Sequence, residues 1–402
     1  MTATLALLAC GGGGNQPTTN LGEIKVGAIF PTSGSNASSG TDALHGTQLA
    51  VDVLNGKYPN IDLPKLTVGK IKLVEGDSQG NPEVGASEVD RMVQTEKAVV
   101  LTGSYQSAVT LTASQRAERL QVPFVNGSSS STALTARGLK YFFRTGPSDL
   151  TFAMTYFDWL KTQVVEHPIK KAVVLHTNDQ FGNDGAKVIT EQAPAFGVQL
   201  DDISFPTNST DLTSQVQRVR SDAPDAVFVF AFLNDAVLLI KTFATLGYTP
   251  PIILGFGAGF SDPKFVTTLG AKADYSVTRA AWALEIGQKN PTAKAVADAF
   301  KAKFGQDMTE NSARDFTAMM TIGAAIESSK STDPTKIRDA LVKLNLTKTV
   351  MPWKGVKFDP NGQNELAQGV IEQIVGGQYR VIFPADAATT KVVWPMPPLT
   401  GR

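Results

Sequence analysis

Short, nearly continuous apolar runs alternate with segments of helical period along most of this chain. That alternation limits its fold more than any other feature. Residues 24–30 (IKVGAIF) are apolar apart from Lys25 and stop at Pro31, which is how a strand covered on both faces reads. In the following segment, 42–55, Ala43, Gly46, Ala50 and Val53 fall on one helical stripe. Segments 71–75, 98–101 and 122–126 repeat the strand pattern. Between them lie a helix opening at Asn81-Pro82-Glu83, with proline where its missing N–H costs nothing, and one marked by Val109, Ala113, Ala117 and Leu120. From Leu150 the series restarts, with strands at 171–176, 200–205, 226–232 and 252–254 and helices at 150–162, 184–196, 212–221 and 235–246. Strands separated by helices of this length make βαβ units and parallel sheets. Two such series predict an α/β protein of two doubly wound parallel-sheet lobes, which suits a length of 402 residues. The remainder predicts helices at 291–304, 314–329 and 335–344, strands at 356–358 and 370–383 with a hairpin at Gly376-Gly377, and an extended proline-rich tail over 392–402.

Charge and composition exclude several functions. Lys plus Arg and Asp plus Glu both number 37, so there is no basic surplus for a nucleic-acid surface. No apolar run in the sequence approaches the roughly 20 residues of a membrane span. The single cysteine, Cys10, permits neither an intrachain disulfide nor a cysteine zinc site, and the three histidines are not spaced as metal ligands. Cofactor and metal are both expected to be absent. No GxSxG elbow and no P-loop is present, and Gly255-Phe256-Gly257-Ala258-Gly259-Phe260 lacks the third glycine of a dinucleotide loop.

The N-terminus carries a different pattern. Leu7-Leu8-Ala9-Cys10-Gly11 resembles the bacterial lipobox, in which the cysteine becomes the lipidated first residue of an exported protein. Residues 11–20 (GGGGNQPTTN) then read as a flexible tether.

Two serine-rich loops carry the chemistry. Gly103-Ser104-Tyr105-Gln106-Ser107 follows the strand at 98–101 and opens a helix, and Asn126-Gly127-Ser128-Ser129-Ser130-Ser131 follows the strand at 122–126. Ligands of open parallel sheets bind beyond the carboxyl ends of strands, where a helix N-terminus offers free N–H groups to an anion. Each serine reads equally well as a cap for its own helix. In the second series, Phe181 and Phe232 stand at strand ends, either as core aromatics or as rings closing over a ligand.

Several segments in order resemble the leucine-binding-protein family, the periplasmic substrate-binding proteins of branched-chain amino acid ABC transporters: IKVGAIFPTSG (24–34), GTDALHGTQLAVDVLN (40–55), DSQGNPEVG (77–85), LTGSYQSAVT (101–110), LTARGLKYFFRTGPSD (134–149), HTNDQFGNDG (176–185) and DAVFVFAFLNDA (225–236). The resemblance spans about Glu23 to Phe383. It implies a type I periplasmic binding fold, with crossings near Gly146, Val277 and Met351. Lobe 1 would be residues 23–145 plus 278–350, and lobe 2 residues 146–277 plus 351–402, with 1–22 forming signal remnant, lipobox and tether. It also implies ligand capture between the lobes without catalysis, delivery to an ABC permease, and a monomer in the periplasm or on the outer face of the membrane, held by lipid only through Cys10. Carried over by position, Ser107 matches the carboxylate-binding hydroxyl. Tyr105, Gln106, Ser128, Ser129 and Ser130 belong to the loops around it, Phe181 and Phe232 replace tyrosines, and Ser39 stands for a bulky aromatic. Gly257 falls where an acidic residue usually pairs with the ligand's ammonium. Asp235 is the expected substitute; otherwise the ligand is an aromatic or aliphatic acid. A glutamate at 257 would then move preference toward α-amino acids. A ligand-sensing receptor component is the other role these lobes serve.

Overall fold

The computed structural model describes residues 20–163 and 165–402, so Cys10 and the lipobox lie outside the described residues. The first series forms strands β1 (Glu23–Phe30), β2 (Lys70–Asp77), β3 (Val100–Gly103), β4 (Phe124–Asn126) and β5 (Phe142–Arg144). They make a parallel sheet of order β2-β1-β3-β4-β5. The second series forms β6 (Lys171–Thr177), β7 (Gln199–Phe205), β8 (Ala226–Phe230), β9 (Ile253–Gly255) and β10 (Val277–Ala280). After a small antiparallel pair, β11 (Asn345–Leu346) with β12 (Val356–Lys357), the chain adds β13 (Val370–Val375) and β14 (Gln378–Phe383) to this second sheet. Its order is β14-β13-β10-β9-β8-β6-β7, parallel except at β13, which runs antiparallel to both neighbours.

The central strands are apolar because each face meets a different core. In β8, Phe228 and Phe230 enter one buried cluster while Val227 and Val229 enter another. This is the two-residue period of a strand covered by helices on both sides. The first lobe recruits its last helices from far along the chain. Helix Glu310–Ser329 lies against helix Ala37–Leu54 so closely that a side chain at Gly46 would sit 2.0 Å from the Ser312 carbonyl oxygen. Glycine at this one position is what lets the two backbones meet.

The chain passes between the sheets three times, over residues 145–148, 281–290 and 358–369. β10 belongs wholly to the second sheet, so the second passage begins after Ala280, beyond the position expected at Val277. The third is later than Met351, because residues 358–364 still bond to the end of β5: Arg144 Nε donates to Gln363 Oε1 at 2.7 Å and Asn364 Nδ2 to the Thr145 carbonyl at 2.9 Å. The expected strand at 226–232 stops at Phe230, since Leu233 opens a helix and Phe232 is its extended cap residue. The expected helix at 184–196 begins earlier, at Gln180, because the Asp179 carboxylate accepts from the Gly182 N–H at 2.8 Å. The proline-rich tail is fastened to the second lobe. The Gln373 side chain donates to and accepts from the Val393 backbone, and Leu399 is fully buried.

Candidate functional site

The strand ends of both sheets face each other, and the lobes touch through hydrogen bonds between them. Ser38 and Ser39, at the start of helix Ala37–Leu54, donate to Asp262 of the second lobe at 3.2 and 2.7 Å. Ser131 donates to Asp184 across the same gap. Behind these contacts lies a small buried cavity of about 20 Å³, lined by Tyr105, Ser107, Ser128, Ser129, Ser130, Phe181 and Phe232 among others.

Each serine reaches the cavity for a local reason. Ser107 is the first residue of helix Ser107–Arg119, directly after β3, and its Oγ accepts from the Ser131 N–H at 3.4 Å. Ser128 to Ser131 follow β4, the next strand. Ser129 is committed to the loop itself, bonding Thr110 at 2.7 Å and the carbonyls of Ser104 and Tyr105 at 3.0 and 3.1 Å. The Ser128 hydroxyl donates to Asp315. Burial pushes the Asp315 carboxyl up to about 7 despite that bond and the nearby Arg314. Three rings close the apolar side. Phe232 lies 6.0 Å from Tyr105 of the opposite lobe and 5.4 Å from Phe181.

The sequence reading missed the charged wall of this cavity, made by Arg279, Glu310 and Arg314. Arg279 ends β10, and the other two stand one turn apart on helix Glu310–Ser329. All three are buried. Glu310 is heavily engaged. Its Oε1 accepts from Ser261 at 2.8 Å and Arg279 Nη1 at 3.2 Å, its Oε2 from the Ala281 N–H at 2.8 Å and Arg279 Nη1 at 3.4 Å, and Arg314 Nη1 stands 3.9 Å away. The guanidinium groups have capacity left. Arg314 spends Nε and Nη2 on the Gly127 and Ser128 carbonyls, and Arg279 Nε has no partner among the described residues. Arg279 also lies over Phe152, with its guanidinium carbon 3.8 Å from the ring centre. The wall therefore holds two positive groups, one negative group and spare donors, which suits an anion.

Four expected residues fall elsewhere. Gln106 turns its amide toward the Gly80 carbonyl, at 3.5 Å, and does not line the cavity. Asp235 cannot stand in for an ammonium partner as placed here, because its two oxygens accept from the Asn208 and Ser209 N–H groups at 3.0 and 2.9 Å. Ser39 lines an adjoining cavity of about 640 Å³ that shares Glu310 and Asn311 with the smaller one. Gly257 stands at φ 62°, ψ −131°, and a Cβ there would lie 2.3 Å from Arg279 Nη1. A glutamate at 257 would have to displace the Arg279 side chain and hold a strained backbone.

Two α/β lobes with a hydroxyl-rich cavity between their strand ends are the architecture of a solute-binding protein. The sequence profile of the periplasmic binding protein family matches residues 23–372, and the chain belongs to that family, with the type I periplasmic binding fold. It is 27% identical over 391 residues to Leu/Ile/Val-binding protein homolog 8 of Brucella abortus, covering 93% of this chain and 94% of the relative. Two solved structures share its fold. One is the branched-chain amino acid transporter substrate binding protein of Streptococcus pneumoniae in complex with isoleucine, with TM-score 0.77 and 24% identity over 90% of this chain and 100% of that one. The other is a solute binding protein of an ABC transporter from R. palustris in complex with benzoate, with TM-score 0.77 and 20% identity over 90% and 95%. Among the described residues, no helix is long and apolar enough to cross a membrane, and no group of His, Cys, Asp or Glu gathers as a metal site.

Proposed function

We propose that this protein captures a small carboxylate lacking an α-ammonium, of the aromatic acid type, outside the cytoplasm and delivers it to an ABC importer permease without altering it. The carrying observation is the excess of donors at the cavity wall. Glu310 has its lone pairs engaged, while Arg279 and Arg314 retain N–H groups beside Ser107 and Ser130. Within the lining, an unpaired ammonium would meet two guanidinium groups and one carboxylate, Glu310, whose oxygens are already engaged, an expensive combination; the buried Asp149 and Asp315, near Ser130 and Ser128, do not line the cavity. Tyr105, Phe181 and Phe232 offer ring faces to an aromatic body. Present space is about 20 Å³, roughly one water, so the ligand enters as the lobes part and contacts both once they close. Ligand contact with both lobes is what favours the closed state. Lipidation at Cys10 would hold the protein at the membrane surface while leaving the lobes free, as a monomer, to meet the permease.

Branched-chain amino acids are the competing ligand class, supported by the names of the relatives and by one observation. Glu310 Oε1 lies 3.0 Å from where a Cβ at Gly257 would stand, so a carboxylate does reach that region. A thermal-shift panel separates the two classes, because a ligand of the native state raises the apparent melting temperature by mass action. Benzoate and hydroxybenzoates are expected to raise it while leucine, isoleucine and valine do not; the reverse order would overturn the assignment.

A further inference from the structure

The larger cavity beside the candidate site has its own chemistry. It lies between the starts of helices Ala37–Leu54 and Glu310–Ser329 on one lobe and the segments around Ser261, Trp282 and Tyr379 on the other, with a volume of about 640 Å³. Six carboxylates line it, against Lys264 and Arg380. Five of the six are engaged by the protein. Asp42 accepts from Gln306, Thr309 and Ser312; Asp262 from Ser38, Ser39 and the Lys264 N–H; Glu285 from Arg380 and the Val381 N–H; Glu310 is held as described; and Asp307 pairs with Lys301 at 2.8 Å.

Glu372 is different. It stands in β13, is 6% exposed and lines this cavity, and its carboxylate forms no hydrogen bond or ion pair among the described residues. Burial, together with Glu310 and Glu285, pushes its carboxyl well above the usual carboxylate range. A buried acid without a partner is costly to keep in a fold, and the space beside it is large enough for an organic molecule. Aromatic residues Trp282 and Tyr379 share the lining, a composition that suits a cation.

We propose that this outer cavity binds an organic cation, a primary ammonium or guanidinium group held by the Glu372 carboxylate in the space lined by Trp282 and Tyr379. The site is independent of anion capture at Arg279 and Arg314, although the two cavities meet at Glu310 and Asn311. The test is calorimetric titration of the full chain with agmatine, putrescine and benzylamine, with benzoate as a separate titrant. At least one amine is expected to bind, and Glu372→Gln is expected to weaken it roughly tenfold or more, the scale of one charge-assisted hydrogen bond. Because the Glu372 carboxylate has no partner among the described residues, the glutamine variant is expected to keep the fold, checked by thermal unfolding no lower than that of wild type. Glu372→Asp, which retains the charge, is expected to recover part of the affinity. Failure of all three amines to bind at millimolar concentration, or equal amine affinity in wild type and Glu372→Gln, overturns the proposal. Amine binding without benzoate binding supports this cavity and removes only the anion assignment next to it.

Discussion

Replacing Arg279 by lysine isolates the contribution of the guanidinium to anion capture. The arginine bridges both Glu310 oxygens through Nη1 at 3.2 and 3.4 Å and lies over the Phe152 ring. A lysine ammonium can still reach Glu310, so the buried acid keeps a counter-charge and the lobes keep their fold. The variant loses the guanidinium over Phe152 and the remaining donors of the fork, including the unpartnered Nε. A hydrogen bond to a charged group is worth about 1.5–3 kcal/mol, so benzoate affinity should fall by about ten- to hundredfold. Calorimetry at fixed pH and salt measures this, with benzamide as the uncharged control and thermal unfolding as the check on the fold. Affinity for benzoate within twofold of wild type, or an equal loss for benzamide, would refute the role given to Arg279. The reciprocal variant sharpens the test. Glu310→Gln leaves two guanidinium groups without their carboxylate, so anion affinity should rise while stability falls by roughly 3–5 kcal/mol, the usual cost of orphaning a buried charge.

Four further outcomes follow from the same geometry. Gly257→Ala should destabilise the protein and weaken benzoate binding together, since its backbone lies at φ 62° and its Cβ would displace Arg279; denaturant unfolding and calorimetry read both, and a neutral result would contradict the close approach. Ser107→Ala should weaken benzoate about three- to tenfold with unfolding unchanged, as expected for one net hydrogen bond of about 0.5–1.5 kcal/mol; unchanged affinity removes Ser107 from the site. Asp315 has its folded pKa raised from 3.8 to about 7, so its contribution to stability is full below about pH 4 and is lost as pH rises toward 7. The limit of that loss is about 4 kcal/mol, and Asp315→Asn should flatten the fall in stability between pH 5 and 8, measured by denaturant titration; an identical slope in both proteins would exclude Asp315 as its source. Asp184→Ala removes the acceptor of the Ser131 bond between lobes and should raise the ligand-free radius of gyration in small-angle scattering; no change would mean that contact does not hold the lobes together.

Much of this architecture was legible because parallel strands covered on both faces leave an unmistakable pattern. Residues 226–230 declare a buried strand by themselves, and the serine loops after β3 and β4 declare a ligand edge by position. The misreadings share one cause: a short-range pattern cannot show which partner a side chain finds. Asp235 was the expected substitute for an acid at 257, yet the turn at Asn208 and Ser209 engages both of its oxygens. Gln106 is neighbour to a true cavity residue but turns toward Gly80. Arg279 and Glu310 are 31 positions apart and meet only because the second passage between lobes folds helix Glu310–Ser329 back across the strand ends. A partial clue was present in the i, i+4 spacing of Glu310 and Arg314, which places both on one helical face. At Gly257 the structure adds what the sequence could not show, an arginine filling the space where a side chain would stand.

The central claim is that the buried cavity between the lobes is built for a carboxylate and not for an α-ammonium. Isothermal titration of the same preparation with benzoate and then with leucine tests it most directly. The donor excess at Arg279 and Arg314 predicts saturable benzoate binding and leucine binding at least tenfold weaker, the difference that about 1.4 kcal/mol of unpaired ammonium would make. Leucine binding tighter than benzoate would contradict it and return Glu310 to the role of ammonium partner.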